Sequence, residues 1–352
     1  MNTVLTFLQA NRQRLDLARY GVPERLSSVM ITPRFRASSH VVFLLLAPGV
    51  PEPLLVAKLP RLGGASASIE REAANLRAIQ AGRASEFASI PRVVAFEEYL
   101  GRPILVETAL IGNPMDPATL RRDRAGCCDA MIGWLADLQQ PAPDADDADA
   151  NWFKRLVERP LRHFEKIFPL SVEEARLLER TWELVSPLRD EALPLVFEHG
   201  DLSHPNIMLL KDGTPGVVDW ELAEPRGLPT YDLFFFLTYA AFASHNARKS
   251  GDYLAAFHTA FFGHAAWARA FVATYATRLQ LPLHTLTPLL VLSWARYMTS
   301  LLMRLDAERS AGRLSDETAD WLRANRYYAL WRHAVMNASA LDWRDPPTTR
   351  SS

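Results

Sequence analysis

Cysteine is almost missing from this 352-residue chain; its only two, Cys127 and Cys128, are neighbours. Adjacent cysteines are poorly placed to bridge each other, and no spaced set exists to hold zinc. That excludes a disulfide scaffold and a cysteine metal site, and leaves two small buried side chains in a reducing compartment. An excess of charge of one sign is also missing, with 39 Lys and Arg against 40 Asp and Glu and a formal net charge of −1. The chain therefore has no overall field for nucleic acid or an anionic membrane, and any charge specificity is local. Long hydrophobic runs are lacking too. The longest strongly apolar stretch, LFFFLTYAAFA at 233–243, is too short to span a bilayer and suits a buried helix. The opening MNTVLTFLQANRQRLDLARY is amphipathic, without the basic start, apolar core and small-residue cleavage site of a secretory signal. The expectation is a cytoplasmic protein with no nucleic-acid, membrane or protein partner. Glycine, finally, is absent from TPRFRASSHVVF, residues 32–43.

What is present is ordinary globular composition, 49% hydrophobic and 22% charged, enough for two lobes and a large core. HVVFLLLA (40–47) and PLLVAKLP (53–60) are apolar runs around a Pro/Gly turn, a hairpin signal. SASIEREAANLRAIQAG reads as a helix with Ser66 or Ser68 as N-cap, acids in its first turn and Gly82 near its stop. SIPRVVAFEEYLGRPILVETAL reads as two more strands around a Gly101-Arg102 turn. From about Thr119 helical periodicity dominates, over 119–140, 151–167, 172–187 and nearly all of 229–340, with a solvated acidic loop at 141–150. The plan is α+β: a small strand-rich lobe over 1–108 and a large helical lobe over 109–352, with a cleft between lobes as the usual place for a ligand.

One hairpin interrupts the helical half. HGDLSHPNIMLLKDGTPGVVDWE (199–221) contains the spacing H-x-D-L-x-x-x-N, in which a carboxylate accepts a proton from an attacking hydroxyl and an amide five residues later holds a metal ion. Asp201 would be the base. Asn206, with an amide oxygen to offer, suits a hard cation such as magnesium. IMLL forms one strand and VVDW the return strand ending at Asp219, which brings Asp219 back beside Asn206. His199 reads as a structural imidazole bracing the loop, and His204 as an exposed loop histidine, with a substrate-facing one as the alternative.

Phosphoryl transfer of this kind also needs a cation on the donor phosphates, carried by a strand and held by a glutamate on the next helix. Lys58 ends an otherwise apolar strand. On the following helix the stripe Ile69, Ala73, Leu76 and Ile79 or Gln80 leaves Glu72 roughly 50° from its centre and Glu70 roughly 110°. Glu72 then borders the buried face, and Glu70 faces water.

With these elements in this order, the sequence resembles the aminoglycoside phosphotransferase and choline kinase family, on HGDLSHPNIM, GVVDWELAEPRGLPTYDL, LLVAKLP and EREAANLRAI. The resemblance implies a bilobal protein-kinase-like fold and an enzyme, a small-molecule kinase using Mg2+ and ATP or GTP. It makes Asp201 the catalytic base, Asn206 and Asp219 the magnesium ligands, and Lys58 with Glu72 the phosphate-binding pair. Asp232 resembles the family's aspartate that braces the catalytic loop. The backbone of Glu107, Thr108 and Ala109 would contact the nucleotide base. The glycine-free loop departs from the family, and leaves Ser38 and Ser39 to offer hydroxyls and N–H groups to phosphate. This departure supports an alternative, a kinase-like binding or regulatory protein without turnover, which the full set of Lys58, Asp201, Asn206 and Asp219 opposes. D-W-E stands where protein kinases have D-F-G.

Only twelve residues separate Asp219 from Asp232, too few for a peptide-docking activation segment, so the acceptor is expected to be a small hydroxyl compound. Residues 295–335 carry seven arginines against five acids, which disfavours polycationic antibiotics and leaves a sugar, amino alcohol or related metabolite.

Overall fold

The computed structural model describes residues 2–32, 40–61, 66–82, 88–140, 151–306 and 314–344. It divides into two compact units. One is Met1–Met115 with His199–Asp201 and Pro205–Pro225, and the other is Asp116–Glu198, Leu202–His204 and Arg226–Ser352. The catalytic-type hairpin, apart from Leu202–His204, groups with the strand-rich part of the chain.

In the first unit helix α1 (Thr3–Ala10) precedes strands β1 (Ser27–Ile31), β2 (His40–Leu46) and β3 (Pro53–Pro60), helix α2 (Ser66–Gly82), and strands β4 (Val93–Tyr99) and β5 (Arg102–Thr108). The strands form one antiparallel sheet in the order β1-β2-β3-β5-β4. Alternation along each strand sorts its side chains between two faces. Leu55, Ala57, Leu59, Ile104 and Val106 join Val4, Phe7 and Leu8 of α1 in one buried cluster. Leu105 faces the other way, against Ile69 and Ala73 of α2. Lys58 lies directly opposite Leu105 and Val56 opposite Glu107, which puts Lys58, Leu105 and Glu107 on the α2 face.

Two local expectations shift, the hairpin turn by one residue and the acids of the helix by about a turn. The β4–β5 hairpin closes through Leu100 and Gly101, at φ 52° and 72°, one residue before the expected Gly101-Arg102, because two successive left-handed residues match the twist of the flanking strands. Helix α2 starts at Ser66 and has no acid in its first turn, so Glu70 lies in the second. A second, three-stranded sheet of this unit joins β6 (Gly112–Pro114) to the hairpin strands.

The second unit is mainly helical: α3 (Pro117–Arg122), α4 (Arg124–Leu138), α5 (Arg159–Ile167), α6 (Val172–Val185), short strand β7 (Val196–Glu198), and, after the hairpin, α7 (Tyr231–Ser244), α8 (Ala247–Ser250), α9 (Tyr253–Phe261), α10 (Ala268–Arg278), α11 (Leu286–Asp306), α12 (Asp316–Arg323) and α13 (Arg326–Met336). The apolar run at 233–243 lies in α7, which is buried almost all round, as a helix without a polar face must be. Cys127 and Cys128 are free and buried on α4. No helix among the described residues is long and apolar enough to cross a membrane.

Candidate active site

The candidate site is assembled in the first unit from β3, α2, β5, His199–Asp201 and the 205–221 segment. Lys58 is only 5% exposed. Its Nζ lies 2.5 Å from Glu72 Oε1 and 3.4 Å from Glu107 Oε1, so it is no edge lysine reaching for water. Glu72 is 1% exposed while Glu70 is exposed, matching the helical phase read from the stripe. The Glu72 carboxylate also accepts the Trp220 N–H at 3.1 Å, tying α2 to the residue after Asp219.

His199 is fully buried, with its ring 4.6 Å from that of Trp220. Its Nε2 meets the Val218 carbonyl at 3.0 Å, and its Nδ1 accepts the Asp201 N–H at 3.2 Å. These two bonds are complementary in a neutral imidazole protonated on Nε2. Burial, foremost, pushes its pKa down to about 4, which maintains that tautomer at neutral pH. The ring thereby joins the backbone before Asp201 to the backbone before Asp219.

Asn206 Nδ2 donates to the Asp201 carbonyl at 3.0 Å and to Asp201 Oδ2 at 3.3 Å. The hairpin follows as β8 (Ile207–Leu210) and β9 (Pro215–Val217). The return strand therefore ends at Val217, two residues earlier than the sequence suggests. Val218 still donates to the Asn206 carbonyl at 3.0 Å, and Asp219 then turns left-handed at φ 71°. That turn takes Asp219 out of the strand's alternation. Among the described residues its buried Oδ1 has no hydrogen-bond partner.

Gly200 carries the other strained point of the segment. Its φ is +84°, and a Cβ there would stand 2.4 Å from the Leu222 carbonyl oxygen. Gly200→Ala is expected to cost on the order of 1–3 kcal/mol of stability through strain and that clash. Chemical denaturation measures it, and an unchanged midpoint would show that the loop relaxes freely.

The site holds more acid than base. Burial lowers the Lys58 pKa, but Glu107, Glu72 and Asp219 outweigh it and hold the ammonium well above its usual value. Burial pushes Glu107 up to about 7 against the pull of Lys58. Burial and then Asp219 push Glu221 up to about 7 as well. His40, 3.8 Å from Glu221, is lowered by burial and Lys58. Four carboxylates thus surround one buried ammonium. Among the described residues Asp219 Oδ1 and Glu221 Oε2 are buried without a hydrogen-bond partner, and oxygen donors of this kind, like the Asn206 amide oxygen, fit a hard divalent cation such as Mg2+.

A folded-state pKa above the unfolded value means that the folded chain keeps a proton that the unfolded chain releases. Stability associated with Glu107 therefore falls as pH rises from the ordinary carboxylate value of 4.5 to about 7. Glu107→Gln removes this dependence. The stability of the variant relative to wild type is expected to grow between pH 5 and pH 8, by on the order of 1–3 kcal/mol. Thermal unfolding at both pH values checks it, and an equal difference at both would exclude burial of the charge as the cause.

Other expected positions stand as follows. The Thr108 N–H donates to Arg92 O and the Ala109 N–H to Leu54 O, at 2.9 and 3.1 Å, so both N–H groups are engaged in the sheet. Asp232, in the second unit, is fully buried in the first turn of α7 and accepts from Gln139 Nε2 at 3.2 Å. Ser38 and Ser39 lie outside the described residues. His204 is not the exposed loop residue expected: it is half-buried, its Nδ1 has no hydrogen-bond partner among the described residues, and burial lowers its pKa to about 4.

Two residues escaped the sequence reading. The Glu107 side chain, as distinct from its backbone, pairs with Lys58, a contact set by the β3–β5 register. Asn75, one turn after Glu72 on α2, donates to the Trp220 carbonyl at 2.9 Å and the Ala223 carbonyl at 3.2 Å. The i, i+3 spacing of Glu72 and Asn75 was the available signal.

An ammonium between carboxylates on a strand–helix pair, beside an Asp–Asn loop and a second aspartate, defines with this fold a small-molecule kinase of protein-kinase-like architecture. The chain belongs to the phosphotransferase enzyme family (APH), which it matches over residues 36–275. Among solved structures it is similar to the choline kinase LicA from Streptococcus pneumoniae, at TM-score 0.54 and 11% identity over 94% of this chain and 99% of that one. It is similar to aminoglycoside 2'-phosphotransferase-IIIa in its GDP complex, at TM-score 0.54 and 15% identity over 96% and 99%. A third is a thermostable mutant of aminoglycoside phosphotransferase APH(4)-Ia in ternary complex with AMP-PNP and hygromycin B, at TM-score 0.50 and 13% identity over 92% and 98%. No protein of curated function matches the chain by sequence.

Proposed function

We propose that the protein transfers the γ-phosphoryl group of ATP or GTP to a hydroxyl of a small molecule in the cytoplasm, with Mg2+, by direct in-line displacement. The observation that carries this reading is the convergence, within one compact unit, of Lys58 on Glu72 at 2.5 Å and of Asn206 on Asp201 at 3.3 Å. The GDP and AMP-PNP complexes of the similar structures support a nucleotide donor.

Asp201 orients the acceptor hydroxyl and takes its proton. Lys58, steadied by Glu72, fixes the donor phosphates. Asn206 and Asp219 would hold Mg2+, which when bound neutralises the charge developing on the transferred group. His199 and Asp232 act as structural supports. The segment 107–109 borders the base, and since its Thr108 and Ala109 N–H groups are engaged, contact to the base falls to a carbonyl or to an N–H beyond Ala109. In this scheme residues 1–108 form the nucleotide lobe and 109–352 the acceptor lobe, with no nucleic-acid, membrane or protein partner.

The test is nucleoside diphosphate release from ATP or GTP with Mg2+ across a panel of hydroxyl compounds. Acceptor-dependent release, abolished by chelation of Mg2+, supports the reading. Nucleotide binding with no release for any acceptor would favour a binding protein without turnover.

A further inference from the structure

The Glu107 side chain is a buried acid to which the catalytic scheme gives no task. Its strand, β5, lies between β3 and β4, and residue 107 is registered against Val56 on one side and Val93 on the other. The residue is 2% exposed, and its Oε1 meets the Lys58 ammonium at 3.4 Å. Among the described residues Oε2 is buried without a hydrogen-bond partner. A carboxylate on a strand flanked on both sides is held inside, and an ionised oxygen left unpaired there is costly.

The second observation concerns charge. Glu72 already pairs with Lys58 Nζ at 2.5 Å and is itself fixed by the Trp220 N–H. One carboxylate neutralises one ammonium, so Glu107 adds surplus negative charge beside the group that is to receive donor phosphates, which are negative too. The charged groups acting on Glu107 are Lys58 from β3, Glu72 from α2 and Asp219 after β9. Burial, foremost, and the two acids favour its neutral form, while Lys58 favours the ionised one. A phosphate that draws the ammonium away and brings its own negative charge therefore moves Glu107 toward the neutral form.

We infer that Glu107 is a positioning residue for the donor: when a phosphate engages Lys58, the Glu107 carboxylate gives up the ammonium and takes one proton from solvent, so that donor binding and proton uptake are coupled. The presence of a nucleotide phosphate at Lys58 comes from the phosphotransferase reading above, on which this inference rests. One O–H bond forms on the carboxylate and one solvent proton is consumed, while Lys58, held well above its usual pKa, keeps its own proton. A complex that retains a proton which the free protein releases binds more weakly as pH rises. Without nucleotide Glu107 titrates at about 7, so the weakening sets in above neutrality. Glu107→Gln is neutral at every pH and resembles the wild type in its bound form.

Nucleotide affinity is measured by calorimetry on the full chain, with ATP and with GTP in saturating Mg2+, from pH 6.5 to pH 8.5. Wild type is expected to lose on the order of tenfold in affinity across this range relative to Glu107→Gln. Proton exchange elsewhere in the site is common to both proteins, and at pH 6.5 the two are expected to bind nearly equally. Titrations at pH 7.5 in buffers of different ionisation enthalpy count the protons taken up, with wild type expected to exceed the variant by about half a proton or more. Unfolding midpoints report whether the variant folds, and Glu107→Leu, neutral and apolar, replaces it if it does not. Equal pH profiles, equal proton uptake, or weaker nucleotide binding by a folded neutral variant across the whole range would each overturn the inference and leave the phosphotransferase reading in place. No nucleotide binding by either protein at any pH would overturn both. The expected pH difference without phosphoryl transfer to any acceptor would overturn the catalytic reading and leave this one standing.

Discussion

Asp201→Asn is expected to lower kcat by a factor of about 10²–10⁴, the range for losing a positioned general base, while nucleotide affinity stays close to wild type. The argument is geometric. The Asp201 backbone N–H is held by His199, and its carbonyl and Oδ2 both receive the Asn206 amide. An asparagine has the same shape, so the backbone bonds and the loop survive. What disappears is the acceptor for the substrate proton. Steady-state kinetics beside nucleotide titration separates the two effects, and turnover near wild type would remove Asp201 as base.

Asp219→Ala is expected to abolish the magnesium-dependent part of nucleotide binding. Asp219 Oδ1 is a buried oxygen without a hydrogen-bond partner among the described residues, an arrangement that costs free energy unless a ligand completes it. At nucleotide concentrations about 100 times the dissociation constant, linkage stabilises the wild type by about 2.7 kcal/mol, a shift of several degrees in midpoint. Thermal unfolding of both proteins with ATP or GTP, with and without Mg2+, measures it. A magnesium-dependent shift in wild type that vanishes in the variant supports the metal role, and an equal shift in both refutes it. The Asp219 carboxylate repels Glu221 and attracts Lys58, opposing effects that leave the variant without nucleotide close to wild type in stability.

Much of this was readable in one dimension. The α+β class, the antiparallel strands at 40–46, 53–60, 93–99 and 102–108, and the helical remainder follow from alternation, periodicity and turn residues, which act over a few neighbours. The pairing of Lys58 with Glu72 was legible because a helix of known phase follows a strand of known phase. Other features depended on contacts distant in sequence. The register of β3 on β5 brings Glu107 to Lys58. The packing of α2 on the D-W-E segment joins Glu72 and Asn75 to residues more than 140 positions away, with separations of 148 and 145 to Trp220. The early end of β9 and the left-handed turn at Asp219 belong to the same kind, since a strand pattern carries no mark of where pairing stops.

The family and its ordered chemical groups were determined by the sequence by itself, because H-x-D-L-x-x-x-N, a strand lysine and a helix glutamate are local patterns with fixed spacing. Only the tertiary structure decided which charges are buried and which oxygens lack partners among the described residues. Burial and pairing are properties of surfaces drawn from separate helices and strands, and no single segment of the chain contains both sides of such a contact.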